Sequence, residues 1–114
     1  FSHVAAEDFE PYMTPNGPEG DVHWIRESGE DGVDTRTGIW RGDEASMPEP
    51  FEVVFAGAET ILVLEGALEI HVYADDTTRL MREGDLASFE KGSKTRWTRR
   101  SPAIKTLMFI AGES

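Results

Sequence analysis

The side chains that could do chemistry in this chain are few, and they are scattered. The three histidines are His3, His23 and His71, and there is no cysteine. A divalent transition ion needs three or four His, carboxylate or thiolate donors aimed at one point. Histidines spread over an arm and two separate strand-like stretches do not supply that, so no metal ion and no other cofactor is expected. Nucleophilic catalysis finds no support either. Without cysteine there is no thiolate, there is no Gly-x-Ser-x-Gly elbow, and no His sits beside a serine in a catalytic pattern. No Gly-rich loop opens a helix to cradle phosphate. The paired carboxylates Glu7-Asp8 and Asp75-Asp76 fall in an arm and a turn and read as solvated, and His71 reads as an exposed strand residue.

Charge narrows the partners. The formal net charge is -11, with 22 acids against 11 bases, which repels phosphate backbones and anionic membrane surfaces. Neither nucleic acid nor membrane is an expected partner. Six of the bases nonetheless cluster as Lys91, Lys94, Arg96, Arg99, Arg100 and Lys105. Two readings stand: a solvated basic strand paired with acidic neighbours, or a locally positive cavity mouth for a small anion. No apolar run approaches the roughly 20 residues a membrane helix needs. The start, Phe-Ser-His-Val, lacks the basic-then-apolar pattern of a leader, and the missing cysteines rule out disulfides. A cytoplasmic location is the resulting expectation.

The elements that must position these groups are short strands. At 39% hydrophobic and 29% charged, 114 residues suit one globular domain. From Phe51 to Trp97, turns at Glu65-Gly66, Asp75-Asp76, Glu83-Gly84-Asp85 and Glu90-Lys91-Gly92-Ser93 cut the chain into strand-length pieces. That spacing is the pattern of an all-β sandwich or barrel. Strands are expected at Val22 to Arg26, Thr35 to Trp40, Phe51 to Phe55 and Thr60 to Leu64. Further strands are expected at Ala67 to Tyr73, Thr78 to Met81, Leu86 to Phe89, Thr95 to Arg99 and Ile104 to Ile110, with no helix. Gly38 suggests a bulge or a close backbone approach. The last strand places Lys105, Leu107 and Phe109 on one face and Thr106, Met108 and Ile110 on the other. Residues 1–21, with Pro11, Pro15, Pro18 and Asn16-Gly17, are expected to be an irregular arm ahead of a domain at 22–114.

Several of these pieces, taken in order, resemble a known family. Gly38-Ile39-Trp40, Glu59 with Leu64-Glu65-Gly66, Gly84-Asp85, Lys91-Gly92, Trp97 and Lys105 are similar in order and spacing to the cupin superfamily. Within it the resemblance is to the type-3 cupins related to EutQ and ureidoglycine aminohydrolase, over roughly Thr37 to Ile110. The resemblance implies a single-domain RmlC-like jelly-roll β-barrel with its ligand in the barrel mouth, and a homodimer formed through a sheet edge. The metal site usual in that superfamily uses a His-x-His pair, a Glu and a third His. Counting from the turn glycines, the Glu is Glu59. The pair falls on Val53 and Phe55 or on Glu52 and Val54, and the third His on Thr95.

With the histidines gone, the resemblance implies a lone Glu59 inside an apolar barrel, where a buried charge needs a partner. Lys105, on the face of Leu107 and Phe109, is the expected partner. The alternative is that Lys105 reaches the rim and Glu59 bonds backbone amides. Trp97 shares a strand face with Thr95, and with Trp40 and Phe55 it could make an aromatic wall or simply core. Arg41 and Arg96 are possible anion contacts, Arg96 less so because alternation sets it opposite Trp97. Three functions follow as expectations. The first is a metal-free module binding a small anionic or polar metabolite. The second is an enzyme with Glu59 as general acid or base tuned by Lys105. The third is a filled barrel serving structure or interaction.

Overall fold

The computed structural model describes residues 8–14, 17–28, 35–48 and 51–111. Ten strands account for most of them: β1 (Glu10–Thr14), β2 (Gly17–Ser28), β3 (Thr35–Asp43), β4 (Phe51–Val54), β5 (Ala58–Glu65), β6 (Ala67–Val72), β7 (Thr77–Arg82), β8 (Leu86–Phe89), β9 (Lys94–Arg99) and β10 (Ala103–Ala111). They form a six-stranded sheet, β1-β2-β3-β10-β5-β8, and a four-stranded sheet, β4-β9-β6-β7. Every pairing is antiparallel. The fold is the all-β double sheet that the turn spacing predicts. No helix among the described residues is long and apolar enough to cross a membrane.

The core lies between the sheets and follows from period-two alternation. On β6, Leu68 and Ile70 are buried while Glu69 and His71 sit on the far side. Burying a residue such as Leu68 completely contributes about 1.5–3 kcal/mol. From β5 come Ile61 and Val63, and from β10 Ile104, Met108 and Ile110. The turns are set by positive-φ glycines where the sequence places them, as at Gly66, Gly84 and Gly92.

Two expectations change. Within the expected irregular arm, β1 and the first part of β2 form a hairpin that extends the large sheet. Pro11 lies on β1, an edge strand, and Pro18, although β2 is an interior strand, lies on the end of β2 that pairs only with β1, so neither missing N–H disrupts a second ladder. Pro15 and Asn16 lie outside the described residues. The faces of β10 are also the reverse of what was expected for the Glu59–Lys105 pair. Ile104, Thr106, Met108 and Ile110 face the interior and Lys105, Leu107 and Phe109 face out. Alternation separates the two faces of a strand, but only its register against neighbours says which is inside. Here Thr106 sits between Trp40 and Val63, both buried.

Gly38 does mark an irregularity, though the register shift lies opposite it, between Trp24 and Arg26 on β2. A side chain at Gly38 would begin 2.9 Å from the Trp24 ring.

Candidate functional site

A cavity of about 480 Å³ opens between the sheets. The four-stranded sheet supplies Phe51, Val53, Val54 and Trp97, with Phe55 and Ala56 from the turn after β4. The large sheet supplies Trp40, Arg36, Glu59, Thr106 and Met108, and the β1–β2 hairpin supplies Tyr12, Met13, Thr14 and Glu19.

One wall is aromatic. Trp97 meets Trp40 edge-to-face, with ring centres 5.6 Å apart, and touches Phe51 and Phe55 at 6.3 and 6.4 Å. Phe55 stacks in turn on Phe89 at 4.6 Å. Both indole N–H groups are committed within the protein. Trp40 Nε1 donates to the Glu19 carbonyl oxygen at 2.8 Å, and Trp97 Nε1 donates to the Thr95 hydroxyl at 3.0 Å. The Thr95 hydroxyl donates to the Val53 carbonyl oxygen at 2.9 Å. The rings therefore offer the cavity apolar and π surface rather than hydrogen-bond donors.

The polar residues of the lining come from the large sheet and the hairpin. Arg36 and Glu59 occupy one row of the sheet, on β3 and β5, with Ile110 of β10 between them. The Arg36 guanidinium lies over the Trp24 ring, 4.3 Å from its centre, and the Tyr12 ring meets Trp24 at a tilt, with ring centres 5.8 Å apart. Thr14 donates its hydroxyl to the Glu19 carboxylate at 2.5 Å.

The expected site residues divide into two groups. Trp40, Phe55, Trp97 and Glu59 do converge on one cavity. Thr95 is fully buried, and its hydroxyl holds Trp97 and the β4 backbone in place. Lys105 is not a partner of Glu59. It lies on the outer face 3.8 Å from Glu65, its register neighbour, whereas the register neighbour of Glu59 is Ile110. Arg41 also faces out, 3.6 Å from Asp21 and stacked on Phe9 at 4.0 Å. None of the six clustered bases lines the cavity. Lys94, Arg100 and Lys105 pair with Glu52, Glu69 and Glu65, as the solvated-strand reading predicts.

Arg36, Tyr12, Thr14, Glu19 and Phe51 were not anticipated. Arg36 was legible in principle, because on a strand it shares the face of Trp40 four residues on. The hairpin residues carried no such signal.

The alternatives for the missing His-x-His pair are resolved by the faces of β4. Val53 and Phe55 line the cavity, while Glu52 accepts a hydrogen bond from Tyr73 on the outside at 3.0 Å. A transition ion at that place would meet Val53, Phe55 and Thr95 with only Glu59 as a donor, so the residues present do not fit one. His23 stands against Phe9 and the Asp8 carbonyl, and His71 against Thr78 and Asp76, on different sheets. The side chain of His71 is only 18% exposed, less than expected. His3 lies outside the described residues.

The family model for the EutQ-like cupin domain matches residues 28–106. Among solved structures, the fold is similar to a protein assigned as ethanolamine utilization protein Q from Salmonella typhimurium, with a TM-score of 0.61 at 16% identity, over 93% of this chain and 80% of that one. It is likewise similar to the EutQ protein of Clostridium difficile, with a TM-score of 0.57 at 16% identity, over 99% and 75%. An RmlC-like cupin with a double-stranded β-helix fold from Methanocaldococcus jannaschii gives a TM-score of 0.63 at 10% identity, over 92% and 89%. Identities this low establish a shared fold alone. No curated protein matches the chain.

Proposed function

Because this chain belongs to the EutQ-like cupin domains and lacks the histidines that the resemblance to the wider cupin superfamily implies for a metal site, we propose that it binds a small polar organic molecule in the barrel mouth without a metal ion. The observation that carries this reading is the cavity of about 480 Å³, with aromatic rings from both sheets and Arg36, Glu59 and Glu19 among its lining. Small-molecule sites are commonly apolar concavities of this size with a few convergent polar groups. The open volume weighs against a filled barrel. The outward position of Lys105 weighs against the enzyme in which it tunes Glu59.

A cavity-filling change tests the reading. Val53→Trp should keep the fold, as judged by far-UV circular dichroism, while abolishing thermal-shift responses to small polar ligands that the unchanged protein shows. If the response survives a filled cavity, the site is elsewhere. If the unchanged protein responds to no ligand, the domain is a structural module.

The expected second copy of the chain finds support on the outer face of the large sheet. Leu86, Leu62, Leu107 and Ile39 form one row across four strands, and Phe109, 48% exposed, stands beside it. A row of this kind suits sheet-on-sheet pairing more than an edge. Light scattering should give twice the chain mass, and Leu107→Glu should return the mass of one chain. A single-chain mass for the unchanged protein would remove the proposal.

A further inference from the structure

We infer that the molecule taken by this cavity is an organic cation, a small compound carrying an ammonium group. The inference rests on the binding role proposed above and adds the charge of the ligand to it. Charge supplies the first argument. Among the described residues the charged groups lining the cavity are Glu19, Glu59 and Arg36, two carboxylates against one guanidinium. The bases that would have favoured an anion, Arg41 and Lys105, are on the outer face with acidic neighbours.

The second argument is the shortage of donors for an anion. Of the charged lining only Arg36 can donate, and the face of its guanidinium lies on the Trp24 ring, while the N–H groups of Trp40 and Trp97 are used by the Glu19 carbonyl and by Thr95. What remains along the wall is the π surface of Trp40, Phe51, Phe55 and Trp97, which attracts cations through the ring quadrupole. The third argument is long-range. A chain of net charge -11 raises the local concentration of cations around it and lowers that of anions. All three act in the same direction.

Molecules of one shape and three charges decide the matter. One set is choline, its neutral analogue 3,3-dimethylbutan-1-ol and the anion 3,3-dimethylbutanoate. A second set is benzylamine, benzyl alcohol and benzoate. Calorimetry at neutral pH and low ionic strength should show the cation of at least one set binding about tenfold or more tightly than its neutral and anionic counterparts. Glu59→Gln and Glu19→Gln should each weaken that cation by about tenfold while leaving the neutral analogue unchanged, as expected for loss of one charge-assisted contact. If a neutral or anionic member binds as well as the cation, and Val53→Trp abolishes that binding, the charge assignment is wrong and the cavity reading survives. If no member of either set binds, both are overturned.

Discussion

Trp97 donates its indole N–H to the Thr95 hydroxyl, two residues earlier on the same strand, at a position where both side chains are buried. That hydroxyl in turn donates a hydrogen bond to the Val53 carbonyl oxygen and so ties β9 to β4 beneath the aromatic wall. Where a metal-binding relative would carry a ligand, this chain carries a two-bond relay that orients a ring. Thr95→Val keeps the shape and leaves the indole N–H without its partner. It should lower stability by about 1–3 kcal/mol, the usual cost of a buried unsatisfied polar group. Thr95→Ser should retain most of it. Urea midpoints of the three proteins check this.

Gly20 is held at φ +73°, and a side chain there would begin 2.5 Å from the Trp40 indole nitrogen and 2.6 Å from the Arg41 carbonyl oxygen. Backbone cannot yield as a flexible side chain does. Gly20→Ala should therefore cost about 2 kcal/mol or more through strain and lost packing. It should also alter the near-ultraviolet dichroism of the tryptophans, because Trp40 is anchored to Glu19 next door.

Lys105→Met offers the opposite outcome. Its ion pair with Glu65 is exposed, with the two side chains 35% and 65% accessible. Surface pairs of this kind contribute about 0–1 kcal/mol. The variant should unfold within that margin of the unchanged protein and bind cavity ligands equally well. A loss of binding would return Lys105 to the site.

Asp43 predicts a pH dependence. Hydrogen bonds from the Ser46 backbone N–H, at 3.0 Å, and then from the Ser46 hydroxyl hold its carboxyl below the ordinary 3.8. The folded state thus binds this proton less readily than the unfolded state. The stabilisation is complete above about pH 3.8 and is lost as pH falls through the lower folded value. Asp43→Ala should melt below the unchanged protein at neutral pH, and the gap should close under acid conditions. A gap that is constant from pH 7 to pH 2 would show that the turn is stabilised by something other than the ionised carboxylate.

The positions once open to histidine invite a gain-of-function test. Val53→His and Phe55→His with Thr95→His, facing the native Glu59 of the large sheet, should create a four-donor set, three of it from the β4–β9 side. Metal analysis should find about one transition ion per chain in the variant and none at that level in the unchanged protein. A near-stoichiometric ion in the unchanged protein would overturn the metal-free reading.

The local chemistry of the chain was enough to determine its strands from Val22 onward. Turn glycines at Gly66, Gly84 and Gly92 punctuate alternating apolar runs, and short-range backbone preferences act wherever those residues occur. The resemblance to cupins, rather than spacing alone, implied that Glu59 faces the barrel interior, and Glu59, Phe55, Trp40 and Trp97 line one cavity. Which face of β10 is interior is another kind of question. Lys105, Leu107 and Phe109 against Thr106, Met108 and Ile110 are two mixed faces of comparable apolarity, and pairing with β3 and β5 chose between them. The hairpin that brings Tyr12, Thr14 and Glu19 to the cavity was hidden for the same reason. An edge strand tolerates prolines that forbid a central one, and only the sheet as a whole says where the edge lies.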